Sequence, residues 1–246
     1  MADLKYLDAV RDVLNHIEDS QQDAIDKAAE MVIESITNGG TVYVADIGHG
    51  IQGDFLSRAG GLACVQHFSL NFSVNANVAQ CNKDRPRPEP FDRGIEVIRF
   101  AVKASNLREG DVMIVGSVSG KNVNPIELAL ACKAIGVKTI GMTSMEYTSQ
   151  VESLHPSGKK LFEAVDVAID NGAPFGDAAV EIPAYDFKLL PVSGVSMDVI
   201  GWCIWERVIE KMAEAGNPPS VYMSINREGG REYFNKSLAE FNRRGY

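Results

Sequence analysis

The sequence is short of cysteine that could pair. Cys64, Cys81, Cys132 and Cys203 are scattered through 246 residues, with no Cys-x-x-Cys and no zinc-ligand spacing. Neither a disulfide scaffold nor a zinc site is expected; reduced, buried thiols in a cytosolic protein are. The chain also lacks the ~20 consecutive apolar residues that a bilayer crossing needs. Its first residues are polar and charged, unlike the apolar segment of a secretory signal. Positive charge is in deficit: 24 Lys and Arg stand against 33 Asp and Glu, a net charge of −9. Such a chain is a poor partner for nucleic acid or an anionic membrane, although a local field can still hold a small anion. A nucleotide P-loop, G-x-x-x-x-G-K-[ST], is missing, and no cofactor or metal is implied.

What remains is an ordinary globular composition. At 45% hydrophobic and 23% charged, the chain can close around one large core. Leu4, Leu7, Val10, Leu14 and Ile17 recur at helical spacing. Ala24, Ala28, Met31, Val32 and Ile36 continue the pattern, and Asn38-Gly39-Gly40 stops it. Residues 1–38 are therefore expected to be helices, paired around Asp19 to Gln22.

The period then changes. Thr41–Ile47, Ala63–Phe68, Asp111–Ser117, Val137–Thr143 and Val165–Asn171 read as short buried strands. Arg85–Pro90, with three prolines, reads as an exposed loop, and Gly94–Leu107 as a helix. Strands alternating with helices predict an α/β fold: a mainly parallel sheet between two helical layers, joined by right-handed crossovers. Gly194–Ala215 reads as a long helix, apolar on more than one side, that either crosses the core or meets another subunit. The expected organisation is one domain: helices over 1–38, an α/β core over 41–182, and C-terminal helices over 194–246.

One loop carries chemistry. After the strand at Asp111–Gly116 come Ser117, Val118, Ser119, Gly120, Lys121 and Asn122. Asn124 is placed to cap the next helix, Pro125 to open it and Glu127 to complete a capping box. Free backbone N–H groups and the positive end of the helix dipole at such a junction favour an anion. Gly120 permits close approach, and the serines, lysine and asparagine add donors. The carboxyl ends of parallel strands are where open α/β sheets bind ligands. Turn chemistry alone would also place Ser and Gly here.

The stretch "SVSGKNVNPIELALACKAIGVKTIGMTS" resembles the sugar-isomerase (SIS) domain family, with its strand, Ser-x-Ser-Gly, helix, and strand ending in Thr-Ser. "NGGTVYVADIGHG", "RAGGL", Leu154–Ile182 and the tail from Asn217 resemble a stand-alone, UPF0309-like subgroup of that family. The resemblance implies a flavodoxin-like, Rossmann-like three-layer sandwich with a five-stranded sheet. It also implies phosphosugar binding, and a dimer or tetramer whose site borrows residues from a neighbour. Carried onto matching positions, Ser117, Ser119, Gly120, Lys121 and Asn122 would hold phosphate, with Gly48, Thr143 and Ser144 beside the ligand. This chain departs from the family in the first loop. Gly48-His49-Gly50-Ile51-Gln52 stands where many relatives have a serine. The ligand pattern of metal-dependent phosphoheptose isomerases is not reproduced.

Aldose–ketose isomerisation needs ring opening, a base that moves a proton between adjacent carbons, and donors for the enediolate oxygens. His155, in a polar loop before Pro156, and His49, between two glycines, are the candidate histidines. Asp54, Glu152, Asp177 and Glu181 all qualify as the carboxylate; Glu152 lies near His155 in sequence and Asp54 follows the Gly-rich loop. Asp166 and Asp170 read as strand-end residues, His16 as a solvated helix residue and His67 as structural. Two functions follow from these residues: an isomerase of sugar phosphates or amino-sugar phosphates, or a non-catalytic phosphosugar sensor.

Overall fold

The computed structural model describes residues 4–49, 52–86 and 92–246. Gly50, Ile51 and residues 87–90 of the proline-rich stretch lie outside them. The chain opens with two helices, α1 (Lys5–Ser20) and α2 (Gln22–Thr37). The break falls on Gln21, whose amide oxygen accepts the backbone N–H of Asp170 at 2.9 Å. One residue ends the helical run and anchors it to the sheet. Gly39, at φ +85, then turns the chain into the first strand.

Five parallel strands follow: β1 (Val42–Ala45), β2 (Val65–Phe68), β3 (Val112–Gly116), β4 (Lys138–Thr143) and β5 (Val167–Asp170). Their order is β2-β1-β3-β4-β5, the flavodoxin-like arrangement. Val42 pairs with both Val65 and Val112, Val112 with Lys138, and Ile140 with Val167. The crossovers carry α3 (Arg93–Ala104), α4 (Val123–Lys133) and the short α5 (Met145–Ser149) and α6 (Leu161–Ala164).

Both sheet faces are covered, which is why the strands read as unbroken apolar runs rather than alternations. In β3, Val112 and Ile114 point to the side packed by α1 and α2, while Met113 and Val115 meet α3, α4 and α6. Each strand is shorter by one to three residues than its sequence pattern, because the flanking residues turn into loops.

A small antiparallel pair, β6 (Ala178–Val180) and β7 (Leu189–Pro191), precedes the 22-residue α7 (Ser193–Glu214). The chain ends with α8 (Gly230–Arg244). Ile200, Ile204, Trp205, Val208 and Met212 of α7 join the core beside α2. Burial of these side chains within the chain accounts for the apolar face of the helix. Cys64 and Cys132 are buried thiols as expected, but Cys81 is exposed on the long connection to α3. Among the described residues, no helix is long and apolar enough to cross a membrane.

Candidate functional site

In an open parallel sheet, a crevice forms where neighbouring strands send their connections to opposite faces. Here that point lies between β1 and β3. The loops leaving the two strands are latched together: His49 N–H donates to the Gly116 carbonyl at 2.7 Å. Gly48 sits at φ +101, and a Cβ there would run into the Gly116 carbonyl oxygen. This packing requires glycine at position 48. The His49 ring lies beside α7, its Nε2 3.8 Å from where a Cβ on Gly194 would stand.

The second loop, 117–122, is held from below. Ser117 N–H donates to the Met142 carbonyl at 2.9 Å, and the Val118 carbonyl accepts both Ser144 N–H and the Thr143 hydroxyl. Gly120, at φ +61, leaves room that two threonine side chains use: a Cβ would stand 2.8 Å from Thr143 Oγ1 and 2.9 Å from Thr148 Oγ1. The loop's upper edge is left open. Among the described residues, the N–H groups of Val118, Ser119, Lys121 and Asn122 have no protein acceptor, and the side chains of Ser119 and Lys121 make no hydrogen bond or ion pair. A half-buried cation and a row of unused donors at the start of α4 form a seat for an anion.

The helix start differs from the sequence reading. Asn122, not Asn124, is the N-cap residue, with φ −75 and ψ 145, and Pro125 is the third helical residue. Proline is tolerated anywhere in the first turn, because those N–H groups have no intrahelical acceptor. Its position therefore does not mark the helix start. Glu127 makes no capping box. Its carboxylate is buried, taking Arg99 Nε at 2.7 Å and lying 2.9 Å from His155 Nε2.

His155 is accordingly 7% exposed, with both nitrogens engaged. Ser157 N–H donates to Nδ1 at 3.1 Å and the Ser157 hydroxyl lies 2.7 Å from it. That leaves the ring proton on Nε2, facing Glu127. These residues line a groove of about 660 Å3 between α3 and α4. The next residue back, Leu154, donates its N–H to the Lys121 carbonyl at 2.9 Å, and Leu161 N–H reaches the Gly120 carbonyl at 2.8 Å. The buried His155–Glu127 pair thus fixes the segment that braces the 117–122 loop.

The other sequence candidates separate by place. Thr143 and Ser144 are buried beneath the loop; the Ser144 hydroxyl donates to the Ala173 carbonyl at 2.5 Å and accepts Tyr147 N–H at the start of α5. Asp54 is half-exposed on the 3-10 turn Gln52–Asp54 after the first loop, 3.5 Å from Arg58. Glu152 and Glu181 are exposed. Asp177, at φ +67, caps α7, taking Ser193 N–H at 2.9 Å and the Ser193 hydroxyl at 2.6 Å. Asp166 and Asp170 are strand-end residues. His16 pairs with Asp170 at 3.0 Å, and His67 lies 3.7 Å from Asp46. Sequence reading did not single out Asp198 of α7, whose Oδ1 is buried without a hydrogen-bond partner. Burial, then the charge of Asp54, push this carboxyl up to about 6. A single acid in the apolar first half of the helix was the available signal. Among the described residues, no group of three His, Cys, Asp or Glu is arranged to hold a metal. A cavity of about 530 Å3 at the opposite, amino end of the sheet is lined by Gly40, Asp111 and Lys138, away from the end where parallel sheets bind ligands.

A five-stranded parallel sheet in flavodoxin order, flanked by helices, defines an α/β fold. Residues 5–144, from α1 to the end of β4 and including both crevice loops, match the SIS domain family. A UPF0309 protein of Halalkalibacterium halodurans is 34% identical over 236 residues, 93% of each chain. One of Listeria innocua is 32% identical, covering 97% of this chain and 95% of its own. The chain belongs to the SIS domain family, in its UPF0309 group. Solved structures share the fold at low identity. The phosphoheptose isomerase of Neisseria gonorrhoeae is 18% identical, with a TM-score of 0.50 over 81% of this chain and 92% of its own. A protein of E. coli CFT073, solved as a complex with a ligand, is 14% identical, with a TM-score of 0.51 over 85% of this chain and 88% of its own.

Proposed function

We propose that the crevice binds a phosphosugar, with its phosphate on the 117–122 loop, and that the protein is an aldose–ketose isomerase of a sugar phosphate or amino-sugar phosphate. The observation that carries this reading is the set of uncommitted N–H groups around Ser119 and Lys121, at the start of α4 and at the switch point of the sheet. Membership in the SIS domain family supports it. A phosphate dianion there would gain charge-assisted bonds from Lys121 and the backbone, aligned with the dipole of α4. Ser117, Ser119 and Asn122 add donors, and Gly120 lets the phosphate come close. The sugar would lie toward Gly48 and His49, with Asp54 behind them. Glu152 lies in the loop that His155 holds in place. His155 then serves by fixing the phosphate loop rather than by meeting the sugar. The protein works as a cytoplasmic homodimer or tetramer, without nucleic acid or membrane as a partner.

A thermal-shift panel of hexose, pentose, heptose and amino-sugar phosphates tests binding, because a ligand of the folded state alone raises its stability. At least one should raise the melting temperature, and inorganic phosphate should compete. Incorporation of solvent deuterium at sugar C1 or C2 then separates an isomerase from a non-catalytic sensor. A panel in which no phosphosugar shifts the melt rejects the reading; binding without exchange leaves the sensor.

A further inference from the structure

Gly194, Asp198 and Gly201 are spaced four and three apart, so they share one face of α7. The two glycines stand against described residues of the segment that leaves β1. His49 lies over Gly194, with Nε2 3.8 Å from the Cβ position. Phe55 covers Gly201 so closely that a methyl group there would overlap its ring. Between them on that face lies Asp198, whose carboxyl is raised by burial first and then by the charge of Asp54. Asp54 has Arg58 at 3.5 Å, whereas the buried Oδ1 of Asp198 has no donor among the described residues. The residues a turn away along α7 (Gly194, Val195, Gly201 and Trp202) carry no charge. A carboxylate oxygen left without a donor costs stability that an apolar side chain at the same place would not. Such an arrangement is characteristic of a group kept for chemistry.

We propose that Asp198 is the carboxylate base of the crevice, a catalytic residue that takes the proton from the sugar carbon beside the carbonyl and returns it to the adjacent carbon. The inference rests on the phosphosugar-isomerase reading given above. The step balances within the substrate. The C–H bond breaks and its electron pair becomes the enediolate C=C, while the carbonyl oxygen takes the negative charge. Asp198 holds the proton until it is delivered to the neighbouring carbon as the new carbonyl forms. The hydroxyl proton crosses from one oxygen to the other, and His49, on the same face of α7, is the carrier at hand. Burial, and then the charge of Asp54, keep Asp198 a stronger base than an ordinary aspartate.

Asp198→Asn and Asp198→Ala test this in three measurements. The folded-state carboxyl is raised from 3.8 to about 6, so the native state favours the protonated form and loses stability as pH rises through that window. Asp198→Asn should therefore melt higher than the wild type at neutral pH and level with it below about pH 4. Both variants should keep the thermal shift given by a phosphosugar and lose solvent-deuterium exchange by about 100-fold or more. Asp54→Asn should move the acidic limb of the wild-type exchange rate to lower pH. Sugar binding with exchange at the wild-type rate in both Asp198 variants overturns the assignment and leaves the phosphosugar reading standing. An Asp198→Asn protein that melts lower than the wild type at neutral pH overturns it too. If no phosphosugar shifts the wild-type melt, that reading and this assignment fall together.

Discussion

Gly120 combines a φ of +61 with two buried hydroxyls less than 3 Å from where a side chain would begin. Gly120→Ala should therefore cost about 1–3 kcal/mol of stability. The change should appear as a lower urea midpoint at unchanged slope, with weaker phosphosugar binding alongside. Lys121 is the opposite case. It pairs with no carboxylate among the described residues, so Lys121→Ala should leave the melt unchanged. Removing one charge-assisted contact to a phosphate should weaken affinity about 10–100-fold, or about 1.4–2.8 kcal/mol. Calorimetric titration with the best sugar of the panel reads that change. His155 combines both effects. His155→Ala strips a donor from the buried Glu127 carboxylate and should cost about 1–3 kcal/mol. It also releases the Leu154 contact with the loop, so affinity should fall with stability. His155→Gln, which can still donate to Glu127, should recover part of each. Lost exchange with an unchanged melt and unchanged affinity would instead place the ring in the chemistry.

Among the elements, α4 organises the site: the loop leading into it offers the donors, its middle supplies Glu127, and its end supplies Lys133. Lys133 lies 2.8 Å from Asp166, whose carboxylate also takes the N–H and the hydroxyl of Thr139 in β4, each at 2.9 Å. Burial alone would raise the Asp166 carboxyl, but the bonds from Lys133 and Thr139 outweigh it and hold the group below its ordinary value. A lowered folded-state value adds stability above the ordinary Asp range that is lost as pH falls through the folded-state value. Asp166→Asn should thus melt lower than the wild type at neutral pH, and the gap should close in strong acid. The elements themselves were legible because strand and helix periods are local: the run Val112–Val115 has to be buried on both sides, and Gly39 has to end a helix. The loop after β3 was legible for the same reason, since its strand, glycine and helix are consecutive. The Glu127–His155 pair was not, because its members are 28 residues apart and meet only once α4 packs beneath the 153–160 segment. Asp177 reads as a free acid in sequence and becomes a cap only when α7 returns to it.

At the scale of the whole molecule, the covered sheet leaves apolar surface elsewhere. On the connection from β2 to α3, Phe72 and Val74 are exposed, and Phe100 on α3 is 63% exposed. Arg93 sits over the Phe72 ring, with its guanidinium carbon 5.7 Å from the centroid. Phe100 lies seven residues beyond Arg93, two turns along the same helical face. One outer surface of α3 therefore gathers two aromatic rings in solvent. A second copy of the chain, meeting this surface about a two-fold axis, would bury it on both sides at once. Sedimentation equilibrium should give a mass of at least twice 26.7 kDa. Phe100→Glu should shift it toward the monomer while leaving the circular dichroism spectrum unchanged, since the ring contributes nothing to the core. If Phe100→Glu sediments as the wild-type oligomer does, the subunits meet elsewhere. If the variant is monomeric and also loses phosphosugar binding, the crevice depends on the neighbouring chain; if binding survives, each subunit carries a complete seat for the anion.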